Sequence, residues 1–465
     1  MYSPTQIDPV VSFHNAQGEA VRATIVNVQR RSLVMEVYNP WSIVQVSEVL
    51  SEVTVRMGAR EAYVGKAVVI SMVNTGLTAI VSTSLTDEWR ELTEVALAPG
   101  VIGQKAQAFV DGWSERFRIR RDYQIVVNET RAFLADASRW LEQVDLADAT
   151  PGGQATARLP AEYFLELALP LMGKMKACFD NFNHEASLVD EEQAAVHRAF
   201  AQAALHPLIL RAPFVFRTYT KPLGYAGDYQ MVNQILGDPR EGPNTYFQVV
   251  NAAFLQTAVA TAHRHRIDIL VQYLLRLAQR ARAAGRPLRV LNVGCGPAEE
   301  VARFLQQCDE PEWLSFELVD FSGETLDWTR TRLDAVQRAS GRRTAIDFVQ
   351  DSVHQLLKRR DAVGTGRGEF DAVYCAGLFD YLSGKVCARL THYFATRARA
   401  GGTLLVTNVH SANPERFSME HILEWYLIYR DEAGMRAVLP PRRGGTRVYT
   451  DPTGVNVFAE MTVEP

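Results

Sequence analysis

The sequence predicts an α/β protein in three parts: a small antiparallel barrel over 1–100, a helical region over 101–285, and a helix-covered parallel sheet over 286–465. Short runs rich in Val, Ile and Thr, without helical patterns between them, fill residues 10–90. Apolar residues at helical spacing take over from about residue 100. Beyond residue 286 strand-like runs alternate with helical ones, as βαβ units require. At 465 residues the chain also exceeds a single hydrophobic core.

The barrel strands are "RATIVNVQ", "SLVMEVY", "SEVTVRM", "AYVGKAVVISMV" and "LTAIVSTSL", separated by Asn, Gly and Pro. "QAFVDGWSERFRIRRDYQIVVNETRAFLADASRWLEQV" then reads as helix, and "DATPGGQATARLP" as a turn-rich break. Two helical runs follow, with a boundary expected at His206-Pro207. Helix resumes near residue 245 and stops at Gly285 and Pro287. In the last part "LRVLNVGC", "LSFELVDF", "TAIDFVQD", "FDAVYCAG" and "GGTLLVTNV" are the strands.

Composition narrows the function. Apolar residues make up 47% and charged residues 22%, ordinary for a globular protein. A net charge of −4 argues against nucleic-acid binding. The 5 cysteines are scattered without a Cys-x-x-Cys pair, so neither a disulfide framework nor a zinc site is expected. His263 and His265 lack partners at metal-ligand spacing, and no metal site is read. The start "MYSPTQIDPV" carries no secretory pattern, no run approaches the ~18 apolar residues of a spanning helix, and a cytoplasmic setting is expected.

"VLNVGCGPAEEVARFL" (290–305) is a strand, a glycine loop and a helix. Gly294 and Gly296 allow a tight turn and close backbone approach to a ligand, although a purely structural turn fits them too. The third glycine of a dinucleotide fingerprint is replaced by Glu299, followed by Glu300. Carboxylates there repel a pyrophosphate but tolerate a ligand with an ammonium and a sulfonium. Asp320 ends the next strand in "ELVDFS", where an acid accepts from both ribose hydroxyls of a nucleoside. Asp351 ends another in "FVQDS", suited to an adenine amine. Three such features on successive strand tips outweigh the turn-residue reading of each alone.

With "FDAVYCAGLFDYL" and "AGGTLLVTNV", these segments resemble the ordered motifs of class I S-adenosylmethionine-dependent methyltransferases, a Rossmann-like fold, over about residues 286–410. The resemblance implies that Gly294, Cys295 and Gly296, with Pro297, line the methionine moiety. Asp320 then holds the ribose, Phe321 flanks the adenine, and Asp351 with Ser352 meets its amine. Cys295 and Cys375 are small loop residues, since no basic partner makes either a thiolate.

The block "YTKPLGYAGDYQMVN" (219–233) further resembles bacterial methyltransferases known as 3-hydroxypalmitic acid methyl ester synthases, through Lys221, Pro222, Gly224, Tyr225, Gly227 and Asp228. This resemblance spans roughly residues 155–420. It implies methyl transfer to a fatty-acid (3-hydroxy acid) carboxylate, giving a methyl ester used as a quorum-sensing signal. The block then closes over both substrates as a lid. Lys221 attracts the carboxylate, Tyr219, Tyr225 and Tyr229 donate or pack, and Asp228 accepts from the cofactor ammonium or caps the next helix. A carboxylate, already ionised near neutrality, needs no strong general base. Arg264, Arg266 and His410 are further candidates for holding the acid. "CAGLFDYL" replaces the Asn/Asp-Pro-Pro-aromatic of amino-group methylases. In "NVHSANPERFSMEHILEWYLIYRDEAG", His410, Arg416, Trp425, Tyr426, Tyr429 and Arg430 offer aromatic walls and cationic tips, or a packed surface helix.

Two rival readings stay open. One is methylation of an O, S or N atom of another small metabolite, with Tyr225, Asp380 or His410 as base. The other is ligand sensing without turnover. Residues 10–90 resemble a PilZ domain, but Gln29 and Ser32 stand at its serine and glycine positions after Asn27, and Arg22 lacks a second arginine. Cyclic di-GMP binding is therefore not expected, and an interaction or homodimerisation role is.

Overall fold

The computed structural model describes residues 10–87 apart from 30, 39–43, 58–59 and 75–77; then 89, 103–104, 106–107, 110–111, 118–148, 159–359, 368–441 and 445–464. The expected 100/101 boundary and most of the 148–160 break lie outside them.

Six strands, β1 (Val10–His14), β2 (Ala20–Gln29), β3 (Ser32–Tyr38), β4 (Val49–Met57), β5 (Arg60–Asn74) and β6 (Thr78–Leu85), close an antiparallel barrel in the order β1-β2-β3-β6-β5-β4. Closure removes both sheet edges. Alternate residues such as Leu33, Met35 and Val37 fill its interior.

The helical region comprises α1 (Arg121–Asp148), α2 (Ala161–Ser187), α3 (Glu191–Ile209), α4 (Pro213–Thr220), α5 (Tyr229–Leu236) and α6 (Thr245–Leu255). α3 runs through Pro207, so the expected boundary at His206-Pro207 is wrong. The proline removes one backbone bond of the last turn, while Leu205 and Ile209 continue the buried face across it. The long helix α7 (Ala258–Ala283) leads to the sheet.

The sheet contains β7 (Leu288–Val293), β8 (Leu314–Asp320), β9 (Ala345–Gln350), β10 (Phe370–Cys375), β11 (Ala398–Val409), β12 (Thr446–Thr450) and β13 (Asn456–Thr462). Between them lie α8 (Glu299–Gln307), α9 (Gly323–Ser340), α10 (Val353–Arg359), α11 (Gly384–Arg397), α12 (Arg416–Ile422) and α13 (Glu432–Ala437). The strand order is β12-β13-β11-β10-β7-β8-β9. Strands β7 to β11 pair in parallel, whereas β13 runs antiparallel to both β11 and β12. The wholly parallel sheet expected from the sequence is thus corrected by a carboxyl-terminal hairpin.

A second correction concerns residues 423–430. Leu423 ends α12, and Glu424 takes a left-handed φ of 49°. The chain then runs extended, fastened by Ile428 N–H to the Asp380 carbonyl (2.7 Å) and Arg430 N–H to that of Val409 (3.2 Å). Trp425, Tyr426 and Tyr429 therefore form no helical stripe. Among the described residues no helix is long and apolar enough to cross a membrane.

Candidate active site

Order reverses between β7 and β10: β8 and β9 lie on one side of β7, and β10 and β11 on the other. In open α/β sheets ligands bind at such a switch point, beyond the carboxyl ends of the strands. A cleft of about 1530 Å³, its open mouth included, occupies that position. Gly294–Pro297 after β7, Asp320 and Phe321 after β8, and Ala376 and Gly377 after β10 form its floor.

The loop after β7 is held by its neighbour. Gly294 and Cys295 N–H both donate to the Val319 carbonyl, at 2.8 and 3.0 Å. Gly294 (φ 70°) and Gly296 (φ 51°) are left-handed, and apart from its two chain neighbours no described residue lies within 4 Å of where a Cβ on Gly296 would stand. That space is available to a ligand. Asp320 is buried, and its oxygens accept from Gly296 N–H and Ser322 N–H, each at 3.0 Å. Burial pushes its pKa up against these bonds. A carboxylate offers about four acceptor positions, so two amides leave capacity for a pair of hydroxyls.

The adjoining corner is acidic. Glu299 is taken up by Arg303 (3.1 Å) and Arg332 (3.2 Å). Glu300 instead turns into the cleft wall, where Asn292 (3.1 Å) and the Tyr374 hydroxyl (2.8 Å) donate to it and burial raises its pKa. The Glu300 carboxylate in the wall disfavours a pyrophosphate there.

The stretch 218–233 is a helix–turn–helix that lines the cleft through Tyr225, Gly227, Tyr229 and Met231. α4 ends at Lys221, left-handed at φ 46°, and Gly224 and Gly227 (φ 83° and 80°) reverse the chain. The reversal sets the Tyr225 ring against Phe321, centroids 4.9 Å apart. Burial, then Asp320, raises the Tyr225 pKa. A Cβ on Gly227 would stand 2.7 Å from the Tyr381 hydroxyl, which accepts from Trp425 Nε1 at 3.0 Å. Tyr225, Tyr381 and Trp425 all line the cleft.

Other candidates lie elsewhere. The Asp228 carboxylate takes Arg217 Nε at 2.8 and 3.0 Å and caps α5 through Met231 N–H at 2.8 Å, so its acceptors are used within the turn. Lys221 Nζ donates to the carbonyls of Leu423 (3.1 Å) and Tyr219 (3.3 Å), a clamp between two segments. Tyr219 packs edge-on against His206 at 4.4 Å. Arg430 donates to carbonyls of Phe379 and Leu382 and locks the extended segment. Tyr426 is buried with Val46 and Val68 of the barrel. His410 pairs with Glu432 at 3.2 Å. Asp351, Ser352 and Cys375 sit on strand tips outside the cleft lining; Asp351 N–H donates to the Asp320 carbonyl at 3.0 Å.

Arg266, by contrast, lines the cleft from α7. Its guanidinium lies against Gly377, a Cβ there falling 3.0 Å from one nitrogen, and its Nη2 meets the His263 ring at 3.0–3.1 Å. Desolvation, then Arg266 and Arg264, drives the His263 pKa far down, so that ring is neutral. The cleft is also lined by Phe214, Met231, Ile235 and Val259 from the helices, and by Ala16, Gln17, Gln45, Val46 and Glu48 from the barrel. No local motif marks those positions.

Lys221 yields a pH prediction. Burial lowers its pKa from 10.5 to about 8, against the opposing pull of Glu424. Between those values the unfolded chain binds the extra proton, so this contribution to stability rises with pH. The stability of the parent relative to Lys221→Met is expected to be lowest below pH 8 and to climb towards 10.5. A pH-independent difference in denaturant midpoints contradicts this.

No family model matches the chain, and no curated protein matches it. Solved structures with similar backbones include a possible exported protein from Bordetella parapertussis, at 15% identity over 74% of this chain and 96% of that one, TM-score 0.40. Magnesium protoporphyrin IX methyltransferase ChlM from Synechocystis PCC 6803, with bound SAH, covers 53% of this chain and 97% of its own at 15% identity, TM-score 0.37. The N-methyltransferase NodS from Bradyrhizobium japonicum WM9, with S-adenosyl-L-homocysteine, covers 51% and 98% at 13%, TM-score 0.31. At identities and scores this low, each neighbour's substrate is a property of that neighbour alone.

Proposed function

We propose that this chain is an S-adenosylmethionine-dependent methyltransferase whose acceptor is the carboxylate of an acid with an apolar body. The observation that carries the reading is Asp320: a buried carboxylate pinned by two amides at the cleft floor, beside the open space over Gly296. Asp320 would hold the ribose hydroxyls, Phe321 with Tyr225 the base, and the acidic Glu300 corner the donor's ammonium end. Asp351 and Ser352, at the next tip and outside the cleft lining, are the partners that the resemblance implies for the adenine amine. When bound, the donor supplies an electrophilic methyl group.

On the acceptor side Arg266 would orient the acid, and Phe214, Met231, Ile235 and Val259 would take its chain. Tyr225, Tyr381 and Trp425 would exclude water, which favours a reaction that removes charge from both partners. The helical region acts as lid in this reading. The methyl ester quorum signal is the product implied by the resemblance of residues 219–233. The barrel is read as PilZ-like without cyclic di-GMP, Ser32 Oγ being turned to Gln29 Oε1 at 3.3 Å. The division at 100/101 and 285/286, the cytoplasmic setting and a homodimer belong to the same reading.

A second reading is favoured by the carboxylates Glu48, Asp380, Glu300 and Asp320 around the cleft. They suit an acceptor that is cationic or loses a proton, with Asp380, its pKa raised by burial, as base. Labelled methyl donor with straight-chain acids of eight to sixteen carbons separates the two. Labelled esters with a rate flat from about pH 6 to 8, above carboxylate pKa values, support the acid. No ester from any acid, with label passing to amine, thiol or phenol acceptors at a rate that rises with pH, supports the other acceptor. Tight binding of S-adenosylhomocysteine without turnover on any acceptor class indicates a sensor.

A further inference from the structure

Two barrel loops reach the cleft, the β1–β2 turn at Ala16 and Gln17 and the segment before β4 at Gln45 and Val46. One buried side chain binds them together. The Glu48 carboxylate accepts Ala16 N–H on one oxygen at 2.6 Å and Gln45 N–H on the other at 2.7 Å. The turn itself is fixed by Asn15, whose Oδ1 accepts Gln17 N–H (3.1 Å) and Glu19 N–H (2.8 Å).

These loops are also seated on the elements that roof the cleft. Val49 N–H donates to the Gly224 carbonyl at 2.8 Å, and the Ala16 methyl lies 3.4 Å from where a Gly224 Cβ would stand. Ser47, left-handed at φ 65°, accepts Tyr426 N–H on its hydroxyl at 3.0 Å. A non-glycine residue in that conformation is strained and persists where surrounding contacts over-determine it. Helices, barrel and the 423–430 segment thus meet at one rim.

Resting on the methyltransferase reading above, we propose that the barrel supplies the acceptor-selecting wall of the cleft, Gln17 and Gln45 meeting the acceptor and Glu48 positioning both loops. In that reading the donor is held by the sheet's Gly296, Asp320 and Phe321 and by Tyr225 of the helix–turn–helix, which leaves the barrel loops of the same cleft to the acceptor. The two glutamine amides donate and accept without charge, which suits a neutral body or a polar group on it, not a second charged end. Burial raises the Glu48 pKa to about 7 against the two amide bonds, in keeping with its place in a dry wall. Glu48 touches neither reactant in this scheme and acts through the loops it ties.

The test uses the full chain, because the barrel's rim is completed by other parts. Gln17→Ala, Gln45→Ala and Glu48→Ala are compared with the parent on octanoic, dodecanoic and hexadecanoic acids with labelled donor. The glutamine variants are expected to shift relative kcat/KM among the acids by about tenfold, the scale of a small change in an apolar pocket. Glu48→Ala should raise KM with kcat held within about threefold, and Glu48→Gln, keeping one acceptor oxygen, should recover part of it. Affinity for S-adenosylhomocysteine should stay unchanged throughout. A readout independent of turnover is amide exchange at Gln17 and Val46, expected to slow when dodecanoate joins the S-adenosylhomocysteine-loaded protein. Unaltered acid preference and exchange in variants that still bind S-adenosylhomocysteine overturn the barrel's role alone. A parent chain that binds no S-adenosylhomocysteine overturns the donor reading beneath it.

Discussion

Asp320→Ala is expected to weaken S-adenosylhomocysteine binding about a hundredfold or more, read by calorimetry against the parent. Hydrogen bonds to a charged group contribute roughly 1.5–3 kcal/mol each, and two ribose hydroxyls are at stake. Every 1.4 kcal/mol is tenfold, so a hundredfold needs only the lower half of that range. Asp320→Asn keeps one acceptor oxygen and should fall between the two. Gly296 and Ser322 also lose their partner, so the thermal midpoint must be followed alongside. An Asp320→Ala protein that stays folded and binds within threefold of the parent removes the ribose role, and with it the main support for the donor.

The largest loss of stability is expected from Asp228→Ala. Its carboxylate is 2% exposed and meets Arg217 through both oxygens. Removing one partner of a fully buried ion pair costs about 3–5 kcal/mol, and because Arg217 keeps some contact with water the loss here is placed at about 2–3 kcal/mol. Loss of the cap on Met231 N–H adds about 1 kcal/mol. The double variant Arg217→Met with Asp228→Asn removes both charges and keeps a capping oxygen, so it should recover most of the deficit in denaturant unfolding. A single variant within about 1 kcal/mol of the parent, or a double variant no better than the single, contradicts this account. The residue that looks like a ligand for an ammonium thus holds the turn that delivers Tyr225.

What the sequence showed was local. Gly294, Gly296 and Asp320 sit at strand tips whose apolar runs are unmistakable, and period and tip position together place them at one edge. Arg266 was singled out as one cation among several, and only α7 packing on the sheet separates it from Arg264 and His410. For Asp228 the capping alternative is the one seen, whereas the contacts of Lys221 and Arg430, carbonyls of Leu423 and of Phe379 and Leu382, lie far away in sequence and leave no local pattern. The Lys221 bond to Leu423 spans 202 residues and leaves no local trace. For residues 423–430 the sequence leaves a packed surface helix open beside aromatic walls with cationic tips, and the left-handed Glu424 rules the helix out. The barrel's strands were visible, but its wall in the cleft depends on Gln17 and Gln45, ordinary loop residues without a signature.

The cleft draws its lining from Ala16 near one end of the chain to Asn456 near the other, and Asn456 is tied to the Ala262 carbonyl of α7 at 3.1 Å. A chain stopped before β12 and β13 therefore lacks one wall of the cleft, and any ligand that needs every wall must wait until that hairpin has docked on β11.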